Sequence, residues 1–162
     1  MVADMRIGKS FCLIVMLAIG AAMPEPGLRA QPVKDRVLAA VHLIEDAGCA
    51  VVRVSFNFPI RYQSHFPLAQ GDEVRVKLRP IVVSPDDRSA LFQRESLRAP
   101  RNRRAAIAKI IYEGDSVPGP VLTVFFRHPV AFKVGQGGDF RSLNIAISGE
   151  EPSESCVPNF PS

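Results

Sequence analysis

The sequence predicts an all-β fold: a small β-sandwich or partly closed barrel made of two similar β units, with a short helix in the segment that connects them. Two observations carry that prediction. The first is alternation. In "VRVSF" the side chains of Val52, Val54 and Phe56 share one face while Arg53 and Ser55 take the other, and in "VRVKLR" Val74, Val76 and Leu78 do the same. That period of two is the signature of half-buried strands. The second is an internal repeat. The stretch "FNFPIRY" (residues 56–62) returns as "FRHPVAF" (residues 126–132), and setting Pro59 over Pro129 brings Val54 over Val124, Phe56 over Phe126, Ile60 over Val130 and Tyr62 over Phe132.

The first thirty residues stand apart. Arg6 and Lys9 precede an apolar run, residues 11–23, and a "PEPGLRA" segment then ends in the small residue Ala30. A basic start, an apolar middle and a small-residue end form a secretory signal peptide. Cleavage is expected after Ala30, with Ala22 the alternative cut and an uncleaved anchor the competing reading. The apolar run is too short to cross a bilayer, which takes roughly 20 such residues. Residues 31–162 then form a single β domain: units at about 37–83 and 106–148, a connector at 84–105 and an acidic tail at 149–162.

Within the first unit, "AAVHLIED" (residues 39–46) is expected to be a strand, although Val33, Val37, Val41 and Ile44 could also make a helical stripe ended by Gly48. It corresponds loosely to "IAKIIYEGD" (residues 107–115). Each unit continues with a strand, a proline bend, a short strand, a Gly-Asp turn and a last strand. The turn is Gly71-Asp72 in one unit and Gly138-Asp139 in the other, after which Val76 and Leu78 fall over Leu143 and Ile145. Proline cannot donate to a ladder, so each strand that carries one must lie at an edge, or stop and bend. "LTVFF" and "LNIAI" are the more apolar strands and are expected to be the more central. In the connector, Ser84 suits a helix cap, Pro85 the first helical position and Asp86 and Asp87 the positive end of the dipole, which predicts a short helix over residues 85–93. A basic stretch, "LRAPRNRR", follows it.

Charge and cysteine count narrow the function. The chain is 162 residues with a formal charge of +4. Arg6, Lys9 and Arg29 against Asp4 and Glu25 remove +1 with the leader and leave +3, mild for a nucleic-acid protein. Export argues against nucleic acid as well. Cys12 leaves with the leader, so Cys49 and Cys156 remain as one candidate disulfide in an oxidising compartment; two free thiols are the alternative.

The order "VRVSFNFPIRYQSHFP…DEVRVKL" resembles an AMIN-type (amidase N-terminal) repeat, a β-rich envelope module. The resemblance covers residues 37–78 and 107–147 and implies a sandwich of two similar halves that binds or localises to peptidoglycan. A related resemblance is to the N-terminal regions of exported proteobacterial proteins that carry tetratricopeptide repeats further on. AMIN repeats usually end in an arginine, an apolar stretch and an aspartate, and this sequence has Glu73 and Lys77, then Phe140 and Asn144, at those places. The role of that pair in the family therefore does not transfer.

No catalytic motif is present. His42, His65 and His128 lack metal-ligand spacing, and the chain has no H-E-x-x-H, C-x-x-C or G-x-S-x-G string. "GQGGD" (residues 135–139) lacks the lysine of a phosphate loop and reads as a hairpin turn. No metal or cofactor is expected. The candidate binding surface is basic: Arg53 on one strand, Arg75, Lys77 and Arg79 on another, and Arg61, Tyr62 and His65 after the first bend. If those strands pair, the cations form a stripe for carboxylates or phosphates with an aromatic edge. A plain solvated face with edge-guarding cations is the alternative. The sequence thus predicts a non-catalytic, periplasmic or secreted binding module for cell-wall glycan, or else an assembly subunit docking an envelope protein by a strand edge.

Overall fold

Alternating sequence becomes paired strand across most of the described residues. The computed structural model describes residues 36–46, 48–81, 85, 88–101, 105–149 and 156. In chain order the elements are β1 (Leu38–Asp46), β2 (Cys49–Phe56), β3 (Ile60–Phe66), β4 (Gln70–Pro80), the short helix α1 (Arg88–Leu91), β5 (Arg94–Leu97), β6 (Ile107–Glu113), β7 (Val121–Gln136) and β8 (Ser142–Gly149). All eight strands join one antiparallel sheet in the order β1-β2-β8-β7-β4-β3, with β6 on β7 and β5 on β6. The helical alternative for residues 38–46 is therefore set aside in favour of a strand, while Val33 lies outside the described residues.

The sheet is bent rather than closed. Residues 121–125 of β7 pair with both β4 and β6, whereas residues 131–136 pair with β8, with Val130 and Ala131 still opposite Gly71 and Gln70 at the start of β4. One strand thus belongs to two half-sheets and passes between them at Arg127, His128 and Pro129. The chain makes the reverse crossing at Asn57, Phe58 and Pro59, where β2 stops and β3 begins. One half-sheet holds β1, β2, β8 and the end of β7; the other holds β3, β4, β5, β6 and the start of β7. Their inward rows meet in a single core that includes Val52, Val54, Val74, Val76, Ile110, Leu122, Val124, Leu143 and Ile145, all fully buried. Burying each such side chain contributes about 1.5–3 kcal/mol. The result is sandwich-like: two faces of one sheet folded over one core.

The strand pairing repeats with the sequence. Val41 pairs with Val54 as Ile110 pairs with Val124, and Tyr62 with Leu78 as Phe132 with Ile147. The last strand of each unit crosses over to pair with the second strand of the other: β8 with β2, and β4 with β7. This exchange corrects the alignment of the last strands. The register sets Val74, Val76 and Leu78 over Leu143, Ile145 and Ile147, two residues from the placement that matching the Gly-Asp turns produces. The turns mislead because the β3–β4 loop is three residues, 67–69, and the β7–β8 loop is five, 137–141.

The connector departs most from expectation. Its helix is a single turn, α1, and a strand follows it at once. Ser84, Asp86 and Asp87, proposed to cap the helix, lie outside the described residues. Strand β5 hides in sequence because its inward residue is Glu95, a carboxylate where an apolar side chain is expected. Glu95 accepts hydrogen bonds from the main-chain N–H groups of Val37 (2.6 Å) and Leu38 (3.0 Å), so the start of β1 is satisfied by a side chain. Across the ladder, the Tyr112 hydroxyl donates to the Leu91 carbonyl. Burial, with the Glu95 charge second, raises the pKa of that phenol far above its ordinary value. Gly114 must be glycine, because a Cβ there would lie 1.7 Å from the Leu91 carbonyl oxygen.

Candidate functional site

Sheet topology divides the predicted basic stripe. Arg53 lies on β2, which pairs with β1 and β8 and not with β4, so it does not join Arg75, Lys77 and Arg79. Its guanidinium instead forms an ion pair with Asp139 at 2.7 Å. Asp139 also accepts from the Arg141 N–H and the Ser142 hydroxyl. Burial acts to raise its pKa, but these hydrogen bonds and the Arg53 charge outweigh burial and hold the carboxyl below its ordinary value. The Arg141 guanidinium donates to the Asn57 carbonyl, and the Asn57 amide donates to the Arg36 carbonyl. The "GQGGD" segment is a hairpin turn in its second half, and Gly135 and Gln136 end β7. Gly137 allows the turn to close, since a Cβ there would fall 2.0 Å from the Ser142 hydroxyl. Arg53 is thus part of a structural clamp on the first proline bend.

The remaining cations do come together. Strands β3 and β4 pair, with Arg61 opposite Arg79, Ser64 opposite Lys77 and Phe66 opposite Arg75. Residues directly opposite share a face, so Arg61, Arg75, Lys77 and Arg79 all point outward from one two-stranded surface. All four are exposed, and none is in an ion pair with a described residue. Like charges directly opposite, as Arg61 and Arg79 are, repel, and a bound anion would relieve that repulsion. Glu73 follows next on the same strand face, opposite Phe125.

Tyr62 turns from that face by ordinary alternation, and His65 does so because of an irregularity between Tyr62 and Ser64. Both lie opposite inward residues, Leu78 and Val76. His65 Nε2 faces the Leu68 carbonyl at 2.9 Å, which accepts only, so the neutral ring carries its proton on Nε2. Nδ1 then accepts from the Tyr62 hydroxyl at 2.6 Å. The His65 ring lies 6.2 Å from that of Phe132, which stacks on Phe126 at 5.7 Å. These two predicted ligand contacts therefore mainly join the β3–β4 hairpin to β7. Burial raises the Tyr62 pKa.

Beside the basic surface lies a cavity of about 430 Å³ that sequence did not reveal, lined by Ser64, His65, Phe66, Arg75, Lys77, Ser116, Val117, Pro118 and Val121. Its floor is the outward face of β3 and β4, and its far wall is the loop between β6 and β7. Among the described residues, the cavity lining holds two cations, two hydroxyls and no carboxylate. Thr123, directly opposite Arg75, is buried with its hydroxyl unpartnered. A local signal existed for the cations, but nothing in the sequence pattern places residues 116–118 beside them.

The corresponding position on the other half-sheet is closed. Cys49 and Cys156 form a disulfide, with Cα atoms 4.8 Å apart, and pack with Val51 and Ala146 into a second apolar cluster. The register makes Val51 opposite Ala146 the counterpart of Val121 opposite Lys77.

Among the described residues no three His, Cys, Asp or Glu side chains gather to hold a metal, and no helix is long and apolar enough to cross a membrane. Compared with known proteins, the chain matches no protein-family model, no curated protein and no solved structure.

Proposed function

We propose that this protein is a non-catalytic binding or localisation module of the cell envelope, exported to the periplasm or beyond, with an anionic cell-wall glycan such as peptidoglycan as its ligand. The observation that carries this reading is the outward face of β3 and β4, where Arg61, Arg75, Lys77 and Arg79 stand together and none forms an ion pair with a described residue. Such a face meets carboxylates and phosphates, with arginine able to bind either in bidentate fashion. The leader-like N-terminus and a disulfide that suits an oxidising compartment support export. The AMIN-type sequence order supports the cell wall as the place of action.

Retention of the purified protein on isolated cell-wall sacculi tests the reading. Retention is expected at low salt and is expected to be lost when Arg75, Lys77 and Arg79 are all changed to glutamate. Retention that ignores those changes would show that the basic face is not the binding face. A second reading, docking of another envelope protein, is favoured by the outer edges of β1 and β3, which end the sheet order. Crosslinking in cells would then give a discrete protein partner, and wall retention would be dispensable.

A further inference from the structure

Four apolar side chains border the cavity beside the basic face, and two of them are wide open to water. Phe66 is 74% exposed and Val117 is 95% exposed, while Pro118 and Val121 complete the apolar wall. Exposed apolar area costs about 25 cal/mol per Å², so this lip favours a ligand that covers it. The floor supplies Arg75 and Lys77, whose Cα positions on alternate residues of β4 are about 7 Å apart. That spacing lets both side chains converge on one phosphate or carboxylate, with the Ser64 and Ser116 hydroxyls available to its remaining oxygens. A polymer bound only through charge has no use for the apolar lip. A volume of about 430 Å³ also suits one compact group rather than a track. The other half of the molecule is informative too, because there the equivalent pair, Val51 and Ala146, is covered by the chain's own Cys49–Cys156 bridge. The two halves match in strand pairing, but at this position only the half with cations carries an exposed side chain, Lys77, beside a buried Val121.

We infer that the cavity is a discrete site for an amphiphilic anion, one phosphate or carboxylate carried on an apolar body. Its charged group sits between Arg75 and Lys77, and its apolar part lies against Phe66 and Val117. The inference rests on the reading that the β3–β4 face is the binding face, and it adds that the ligand there is an amphiphile.

The test compares monomeric octyl phosphate, inorganic phosphate and octyl glucoside by calorimetry, and adds co-sedimentation with vesicles of phosphatidylglycerol or of phosphatidylcholine. Octyl phosphate is expected to bind at least about tenfold more tightly than inorganic phosphate, and octyl glucoside not at all, because charge and apolar contact act together. Changing Arg75 and Lys77 to glutamate should weaken octyl phosphate about tenfold or more, while the charge-matched change of exposed Arg127 and Lys133 to glutamate should not. Changing Phe66 and Val117 to serine should bring octyl phosphate to within about threefold of inorganic phosphate and leave inorganic phosphate unchanged. Co-sedimentation with phosphatidylglycerol alone would identify an anionic membrane surface as the source of the ligand. Octyl phosphate binding without vesicle binding would identify a soluble amphiphile. Either supports the site. Octyl phosphate that binds no better than inorganic phosphate, or that responds equally to both pairs of charge changes, overturns it. If sacculus retention is nevertheless lost on changing Arg75, Lys77 and Arg79, the basic-face reading stands and only the amphiphile site falls. If neither assay responds to those residues, both fall.

Discussion

The two copies of the repeat use one position in opposite ways. In the half-sheet of β2 and β8, Val51 and Ala146 lie under the Cys49–Cys156 bridge, and that position is apolar and closed. In the half-sheet of β4 and β7, Val121 and Lys77 occupy the matching position, and the face is cationic and open. The bends differ in the same sense. The first, at Asn57–Phe58–Pro59, interrupts the strand and is clamped by residues 137–141 through Arg141 and the Arg53–Asp139 pair. The second, at Arg127–His128–Pro129, leaves β7 continuous, with all three residues exposed. The repeat therefore gives one framework twice, and its side chains close one copy of this position under a disulfide and set an exposed lysine at the other.

Removing the closure should break the comparison most strongly. Changing Cys49 and Cys156 to alanine opens a loop defined by a sequence separation of 107. The chain-entropy model gives a loss of about 4–5 kcal/mol in urea unfolding, with the β3–β4 face unaffected in ligand binding. A loss near zero would mean that the bridge is not what holds that half together. Next, Glu95→Ala leaves the N–H groups of Val37 and Leu38 buried without a partner, and unfolding should show a cost of about 2–3 kcal/mol. This asks whether β1, which lacks the extra strand that β5 gives to β6, depends on a single carboxylate.

Smaller changes sharpen the contrast between the bends. The folded-state pKa of Asp139 lies below its ordinary 3.8, so its stabilisation is present above that value and lost as pH falls through the folded value. Asp139→Asn should therefore flatten the acid limb of the stability profile below about pH 4. At neutral pH it should cost under about 1 kcal/mol, because the Arg53 and Asp139 side chains are 37% and 43% exposed and water screens the pair. An unchanged acid limb would show that the clamp is not electrostatic. The smallest effect belongs to the prolines. Replacing either by alanine releases unfolded-chain entropy worth about 0.4–1 kcal/mol. Pro59→Ala should exceed Pro129→Ala in thermal unfolding, since the first bend is the more buried, and equal losses would show that the clamp adds nothing at the proline.

How much was legible varies by residue and for physical reasons. Alternation around Val52–Phe56 and Val74–Leu78 shows a strand wherever one face is buried, and the repeated proline shows where it must bend. The cysteine pair was legible only on the expectation that Cys12 leaves with a leader, which leaves Cys49 and Cys156 as one candidate pair. Strand β5 was not, since Glu95 puts a carboxylate inward, and that choice makes sense only once the N–H groups of Val37 and Leu38 arrive beside it. Matching turns misplaced the last strands by two residues, because loop lengths drift where pairing does not. Whether Arg53 joined Arg75 was a question of which strands pair, and alternation constrains the face of a strand but not its neighbour.

Local chemistry alone reveals the class of the fold, the strands other than β5 and their inward faces, the two bends and the cations of β3 and β4. Only the tertiary structure decided that β4 and β8 exchange partners between the units, that Arg53 is held by Asp139, and that residues 116–118 wall a cavity over Arg75 and Lys77. Those outcomes depend on contacts between distant segments, and no short-range pattern encodes which distant strand lies next door.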